Sequence, residues 1–234
     1  MGDRKTLELL LDTYGRTYAD EAGIRLRDTP QPLYQLLVLS LLLSARIRAS
    51  VAVAAAKALF ADGMRTPRRM ADATWQQRVD ALGRGGYRRY DERTATQLGD
   101  GALLLLDQWA GDLRRLRREA DGDTEALRAG LRRLPGLGPA GADIFVREVQ
   151  AVWPEAGPCV DAKALQGAER LGLPTSPDAL LRLARGRGSG GSEPDGSGWG
   201  SGSGGTEPAV LAAALVRAAL DKHAAESIGL SAGA

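Results

Sequence analysis

The stretch that most constrains this chain is Leu134-Pro135-Gly136-Leu137-Gly138-Pro139-Ala140-Gly141-Ala142. An amphipathic run ending in Arg132-Arg133-Leu134 meets a proline and two glycines and then resumes as a helix. That pattern reads as helix, tight hairpin, helix. Gly136 and Gly138 lack a Cβ and tolerate positive φ, so the backbone can approach another backbone closely, while Pro139 suits the first position of the second helix. Bare N–H groups at a helix N-terminus, with the positive end of the helix dipole behind them, hold a phosphate oxygen without a charged side chain. Plain helix capping accounts for the same glycines.

The 234 residues suffice for one large domain or two small lobes with a real core. Helix formers dominate while β-branched and aromatic residues are scarce, which predicts an all-helical protein. Leu7, Leu10, Leu11, Tyr14 and Tyr18 recur at helical spacing and mark a first helix ending near Gly23. Pro30 and Pro32 punctuate the chain before a nearly continuous apolar helix, about Leu33 to Ser44, that suits a buried position. An alanine-rich helix follows from about Ala49 to Ala61, and Thr66-Pro67 reads as an N-cap with proline at the first helical position. Met70, Trp75, Val79 and Leu82 continue an apolar face. A long helix runs from about Tyr90 to Trp109, and Asp123-Thr124-Glu125 opens the helix that feeds the hairpin. Residues 186–208 are rich in Gly and Ser and read as a linker, followed by a last helix from about Pro208 to Ala225.

Charge constrains the partner weakly. The net charge is +2, and because residues 186–234 are slightly acidic the body stands at +4. Arginines group at Arg84, Arg88, Arg89 and Arg93 and again at Arg114, Arg115, Arg117 and Arg118; either group could face phosphates or simply be a solvated helix face. Only four of the 31 basic residues are lysine, a compositional bias, so arginine abundance is not counted as a nucleic-acid signal. With one cysteine, Cys159, a single chain can assemble neither an internal disulfide nor a cysteine-ligated cluster. No apolar segment reaches the length of a membrane span, and the N-terminus leads into an amphipathic helix, so a cytoplasmic location, beside the nucleoid, is expected.

About two helical lengths beyond the hairpin stands Pro158-Cys159-Val160-Asp161, and upstream lies Leu41-Leu42-Leu43-Ser44-Ala45-Arg46 at the end of the apolar helix. These three landmarks, in this order over residues 30–175, resemble the endonuclease III-like superfamily of helix-hairpin-helix DNA glycosylases. The resemblance implies a two-lobed all-α fold with a DNA cleft between the lobes, double-stranded DNA with a flipped base as partner, and a monomer. Its lobes would be residues 30–130, a helical bundle, and 131–185, with the hairpin and Asp161; residues 1–29 and 209–234 would pack on the second lobe.

The resemblance also distributes roles. Leu134, Gly136, Leu137, Gly138, Pro139 and Ala140 would hold the DNA backbone. Asp161 would stand beside the extruded nucleotide. Breaking a base–deoxyribose bond passes through an oxocarbenium-like sugar, and a carboxylate near C1′ stabilises that charge and can deprotonate water. Asp161 also suits the N-cap of a helix starting near Ala162, and the two roles are compatible because a carboxylate has two oxygens. Arg46 would fill the gap left by the flipped base, or be a solvated arginine after a helix end. Tyr87, after Gly85-Gly86, is either a wedge against bases or a core anchor, and Arg84 before it joins the DNA-facing set.

Bifunctional relatives carry a lysine shortly after the hairpin glycines, and here Ala140 occupies that position and cannot be a nucleophile. Lys163 follows Asp161 by two residues, but on a helix two such side chains diverge by about 200 degrees. The resemblance therefore implies a monofunctional, water-using glycosylase without an iron–sulfur cluster, and leaves room for a monovalent cation at the hairpin backbone. Cys159 reads as a small packed residue and His223 as a surface one. A non-catalytic helix-hairpin-helix DNA-binding protein and a protein-interaction module are the competing readings.

Overall fold

The structure is a computed structural model in which residues 2–186 and 207–229 are described, and every regular element among them is helical. In chain order the helices are α1 (Asp3–Tyr14), α2 (Tyr18–Glu21), α3 (Pro30–Leu43), α4 (Ala49–Ala61) and α5 (Pro67–Asp72). Then come α6 (Trp75–Arg84), α7 (Asp91–Trp109), α8 (Leu113–Ala120), α9 (Thr124–Leu131) and α10 (Pro139–Val149). A 3₁₀ turn, Pro154–Ala156, precedes α11 (Ala162–Arg170), α12 (Pro177–Arg185), α13 (Pro208–Leu220) and α14 (Ala224–Ser227). The expected linker, apart from its ends, lies outside the described residues. No described helix is long and apolar enough to cross a membrane.

The helix starts follow local chemistry. Thr66 accepts from the Arg69 N–H, Asp123 from those of Glu125 and Ala126, and Ser176 from that of Ala179. Thr74 and Gln77 form a complete capping box at the head of α6. The first helix breaks earlier than its apolar spacing predicts, at Gly15, because the buried Glu148 carboxylate accepts the N–H groups of Tyr18 and Ala19 and so starts a new short helix there. Likewise the last long helix stops at Leu220, where Asp221 accepts from the His223 N–H, the Ser227 hydroxyl and the Tyr14 hydroxyl.

The chain divides into two compact units. The larger is continuous, Tyr18–Gly157; the smaller joins Met1–Thr17 to Pro158–Ala234. This division differs from the one that the resemblance implies, since it puts the hairpin with the helical bundle and Asp161 in the other unit. The cause is the apolar face of α10: Ala142, Phe145, Val146 and Val149 are fully buried, and the helix packs on α3 and α9.

In the larger unit α3 is buried on nearly all sides, in keeping with its leucine content. Arg78 is buried, and its guanidinium donates to the carbonyls of Met70, Ala73 and Ala95. Two of these, Met70 and Ala73, close the end of α5 and would otherwise lack donors. Burial holds the Arg78 pKa below its ordinary value, with the Asp100 charge opposing that shift. Trp75, expected in the core, is 41% exposed and its indole N–H donates to Thr96. In the smaller unit α11 crosses α13 at Gly167, and α1 packs on α13 and α12.

Candidate nucleic-acid interface

The hairpin forms as the sequence dictates. Pro135 and Gly136 occupy the central positions of a turn closed by the Leu137 N–H donating to the Leu134 carbonyl at 3.1 Å, and Gly136 has φ +83°. Proline followed by a positive-φ glycine is the signature of a type II turn. Gly138 differs from expectation: its φ is −80° and a Cβ there would meet nothing within 4 Å, so its conformation does not require glycine. It is the N-cap of α10, with Pro139 at the first helical position and no side-chain cap. Beyond the turn, the Ala142 N–H bonds back to the Gly138 carbonyl, which leaves the N–H groups at the exposed head of the helix to an outside acceptor. Leu134 and Leu137 anchor the turn in the core, and a Cβ at Gly141 would lie 2.8 Å from Leu137 Cδ1. The Leu134 and Gly138 carbonyls each accept one N–H and keep a second lone pair.

Beside the hairpin lies an open groove of about 700 Å³ built wholly from the larger unit. Its walls are the end of α3 through Arg46, the loop holding Tyr87 and Tyr90, the first turns of α7 with Arg93, Thr94 and Gln97, and the hairpin from Arg132 to Gly138. Arg46, Tyr87, Leu134, Gly136, Leu137 and Gly138 are thus brought together, while Pro139, Ala140 and Arg84 are not among the lining residues. Arg84 pairs with Asp62.

The groove carries charge of one sign. Four arginines, Arg46, Arg93, Arg132 and Arg133, line it, and no carboxylate does. Arg46, Arg93 and Arg132 are exposed and make no ion pair among the described residues. Arg133 lies over the Trp109 ring at 4.9 Å and donates to Gln108. The second arginine group behaves differently: Arg114 is bidentate on Asp112, and Arg117 bridges Asp28 and Glu155 while covering the Trp153 ring. Arg114 and Arg117 are thus neutralised within the fold, whereas Arg115 and Arg118 beside them are exposed and make no ion pair among the described residues.

Tyr87 is a core anchor that also shows an edge to the groove. It is 2% exposed, and its hydroxyl accepts from Thr94 at 3.3 Å. Its placement follows from α6, whose C-terminal Gly86 takes φ +81° while the Tyr87 N–H returns to the Leu82 carbonyl, turning the ring inward. Burial, the largest influence, raises its phenol pKa. Tyr90 is half-buried, with Arg89 over its ring at 5.3 Å.

Asp161 is half-buried at the head of α11, where its Oδ1 accepts from the Ala164 N–H at 2.9 Å. The capping role read from the sequence is therefore present. The helix it caps packs closely on α13 at Gly167. Lys163 is exposed and donates to Gln166 one turn on. Cys159 is half-buried, and His223 is exposed on the same unit, beside Glu226.

Sequence reasoning missed Tyr90, Gln97, Arg132 and Arg133 as groove residues. A signal was available for the arginine pair, which directly precedes the hairpin leucine, and for Gln97, which sits one helical turn beyond Arg93. No protein-family model matches this chain, and no curated protein does either.

Proposed function

We propose that this chain is a monofunctional DNA glycosylase that grips DNA with the arginine groove and the hairpin and uses Asp161 to activate water. The observation that carries the reading is the convergence of Arg46, Tyr87 and the Leu134–Gly138 turn on one groove with four arginines and no carboxylate. Phosphates would take the guanidinium groups and the N–H groups at the head of α10, which is sequence-independent backbone binding. In the chemical step the C1′–N bond breaks with its electron pair leaving on the base, the water oxygen bonds to C1′, and a water proton passes to the Asp161 carboxylate. With Ala140 at the hairpin, no amine is supplied there for a Schiff base.

A second reading, DNA binding without catalysis, is favoured by one observation: the groove is complete within the larger unit, without Asp161. One assay separates the two. Duplexes carrying uracil, mismatched thymine, an oxidised pyrimidine, 8-oxoguanine or an alkylated purine are incubated with wild type and Asp161→Asn, each sample split before heating in alkali. Breaks that need alkali and vanish in the variant establish hydrolysis through Asp161. Binding without any product leaves the non-catalytic reading, and breaks without alkali overturn the monofunctional one.

A further inference from the structure

Among the polar side chains of the groove, that of Gln97 is one that phosphate binding does not use. Gln97, half-buried on α7, has no hydrogen-bond partner for its amide among the described residues, although it lines the groove between Thr94 and the hairpin. It also lines the small apolar crevice beneath, with Tyr34, Leu37, Leu98 and Leu134. Its amide offers two donors and an acceptor to a ligand in the groove. An anion cannot satisfy it fully, because phosphate brings only acceptors. A nucleobase edge can, since it sets a donor beside an acceptor in its plane.

The surroundings match that ligand. The half-buried ring of Tyr90 supplies an aromatic surface, the leucines and Pro135 an apolar floor, and Arg93 and Arg132 flank the site with charge for the adjoining phosphates. A base that stacks on the Tyr90 ring has left the duplex stack, and its pairing edge is then free for the Gln97 amide. Resting on the reading of the groove as a DNA site, we propose that Gln97 hydrogen-bonds the edge of an unpaired base, so that the groove distinguishes single-stranded from fully paired DNA.

The test uses the full chain and fluorescence anisotropy with one labelled oligonucleotide, presented as a single strand and as a duplex. Gln97→Met deletes the amide while keeping an unbranched side chain of similar length against Gly136. The expected result is a loss of roughly tenfold in single-strand affinity, the worth of about two neutral hydrogen bonds, with duplex affinity and Tm unchanged. Equal losses on both DNAs would make Gln97 a support for the hairpin only, and no loss on either would leave the amide without a role; both overturn the proposal. Arg93→Gln and Arg132→Gln separate this failure from that of the underlying reading. If they weaken neither DNA, the groove is not the nucleic-acid site at all; if they weaken both while Gln97→Met does nothing, only the base contact falls.

Discussion

Gly167 faces Leu215 with no room for a side chain: a Cβ built on Gly167 would overlap the Leu215 carbonyl oxygen, and the neighbouring atom on that side is the Ala219 nitrogen. Backbone cannot yield as a flexible side chain can. Gly167→Ala should therefore destabilise the chain by about 3 kcal/mol, the upper range for overpacking, and denaturant titration followed by circular dichroism would record it. A change below about 0.5 kcal/mol would mean that α11 and α13 can separate without cost.

The two hairpin glycines should respond unequally. Gly136 has φ +83° and a Cβ there would approach Gln97 Oε1 to 2.7 Å, whereas Gly138 has an ordinary φ and open space. Gly136→Ala is expected to cost about 1–3 kcal/mol and Gly138→Ala less than about 0.5 kcal/mol, read from thermal unfolding of the two variants side by side.

Groove arginines and paired arginines should also separate in binding. Arg93→Gln and Arg132→Gln are each expected to weaken duplex binding about tenfold and to lower the slope of log K against log salt by about 0.9 per lost phosphate contact. Arg114→Gln should leave binding unchanged, because Arg114 is committed to Asp112. Equal effects at all three positions would show that the charge acts as a diffuse field and not through the groove.

Alkaline stability should depend on Tyr34. Its phenol is 2% exposed in the core, and burial, opposed weakly by the Arg78 charge, raises its pKa far above the ordinary value of 10.0. A folded-state pKa above the unfolded one means that the unfolded chain releases this proton first. Stability is thus intact below about pH 10 and falls above it, by up to about 1.4 kcal/mol per pH unit for one proton. Guanidinium unfolding of wild type and Tyr34→Phe between pH 8 and 11.5 should give a shallower decline for the variant; parallel declines would remove Tyr34 as the responsible group.

Acid behaviour has the opposite sign at Asp112. The Arg114 side-chain hydrogen bonds, helped by the Arg114 N–H, hold this carboxyl below the ordinary carboxylate value of 3.8. Its contribution is present above the unfolded value and is lost as pH falls through the lower folded one. Asp112→Asn should flatten the acid limb of the unfolding curve below about pH 4; an unchanged limb would assign acid sensitivity elsewhere.

What was legible in the sequence was local. The limits of α4, the Thr66 and Asp123 caps, the positions of Pro139 and Asp161, and the turn at Gly136 all follow from residue chemistry within a few positions. What was hidden depended on distant partners. The break at Gly15 needs Glu148, the burial of Arg78 needs carbonyls on two other helices, and Arg84 is tied by Asp62 while Arg93 is not. Tyr87 is legible as an aromatic after glycines, but its inward turn depends on the Gly86 conformation and on Thr94. The groove itself gathers residues from three stretches of chain, so the local marks of Arg132 beside the hairpin and of Gln97 one turn beyond Arg93 gain meaning only where those stretches meet.

The smaller unit draws its helices from both ends of the chain, α1 from the first seventeen residues and α11 to α14 from beyond Pro158, with the larger unit encoded between them. A ribosome therefore delivers every residue of the groove before it delivers Asp161 or the α13 partner that α1 needs. The early helix α1, with Leu7, Leu10 and Leu11 on one side, must wait with that apolar face uncovered until α13 emerges. Vectorial synthesis thus gives the groove a head start and makes α1 the segment most exposed to misassociation in a nascent chain.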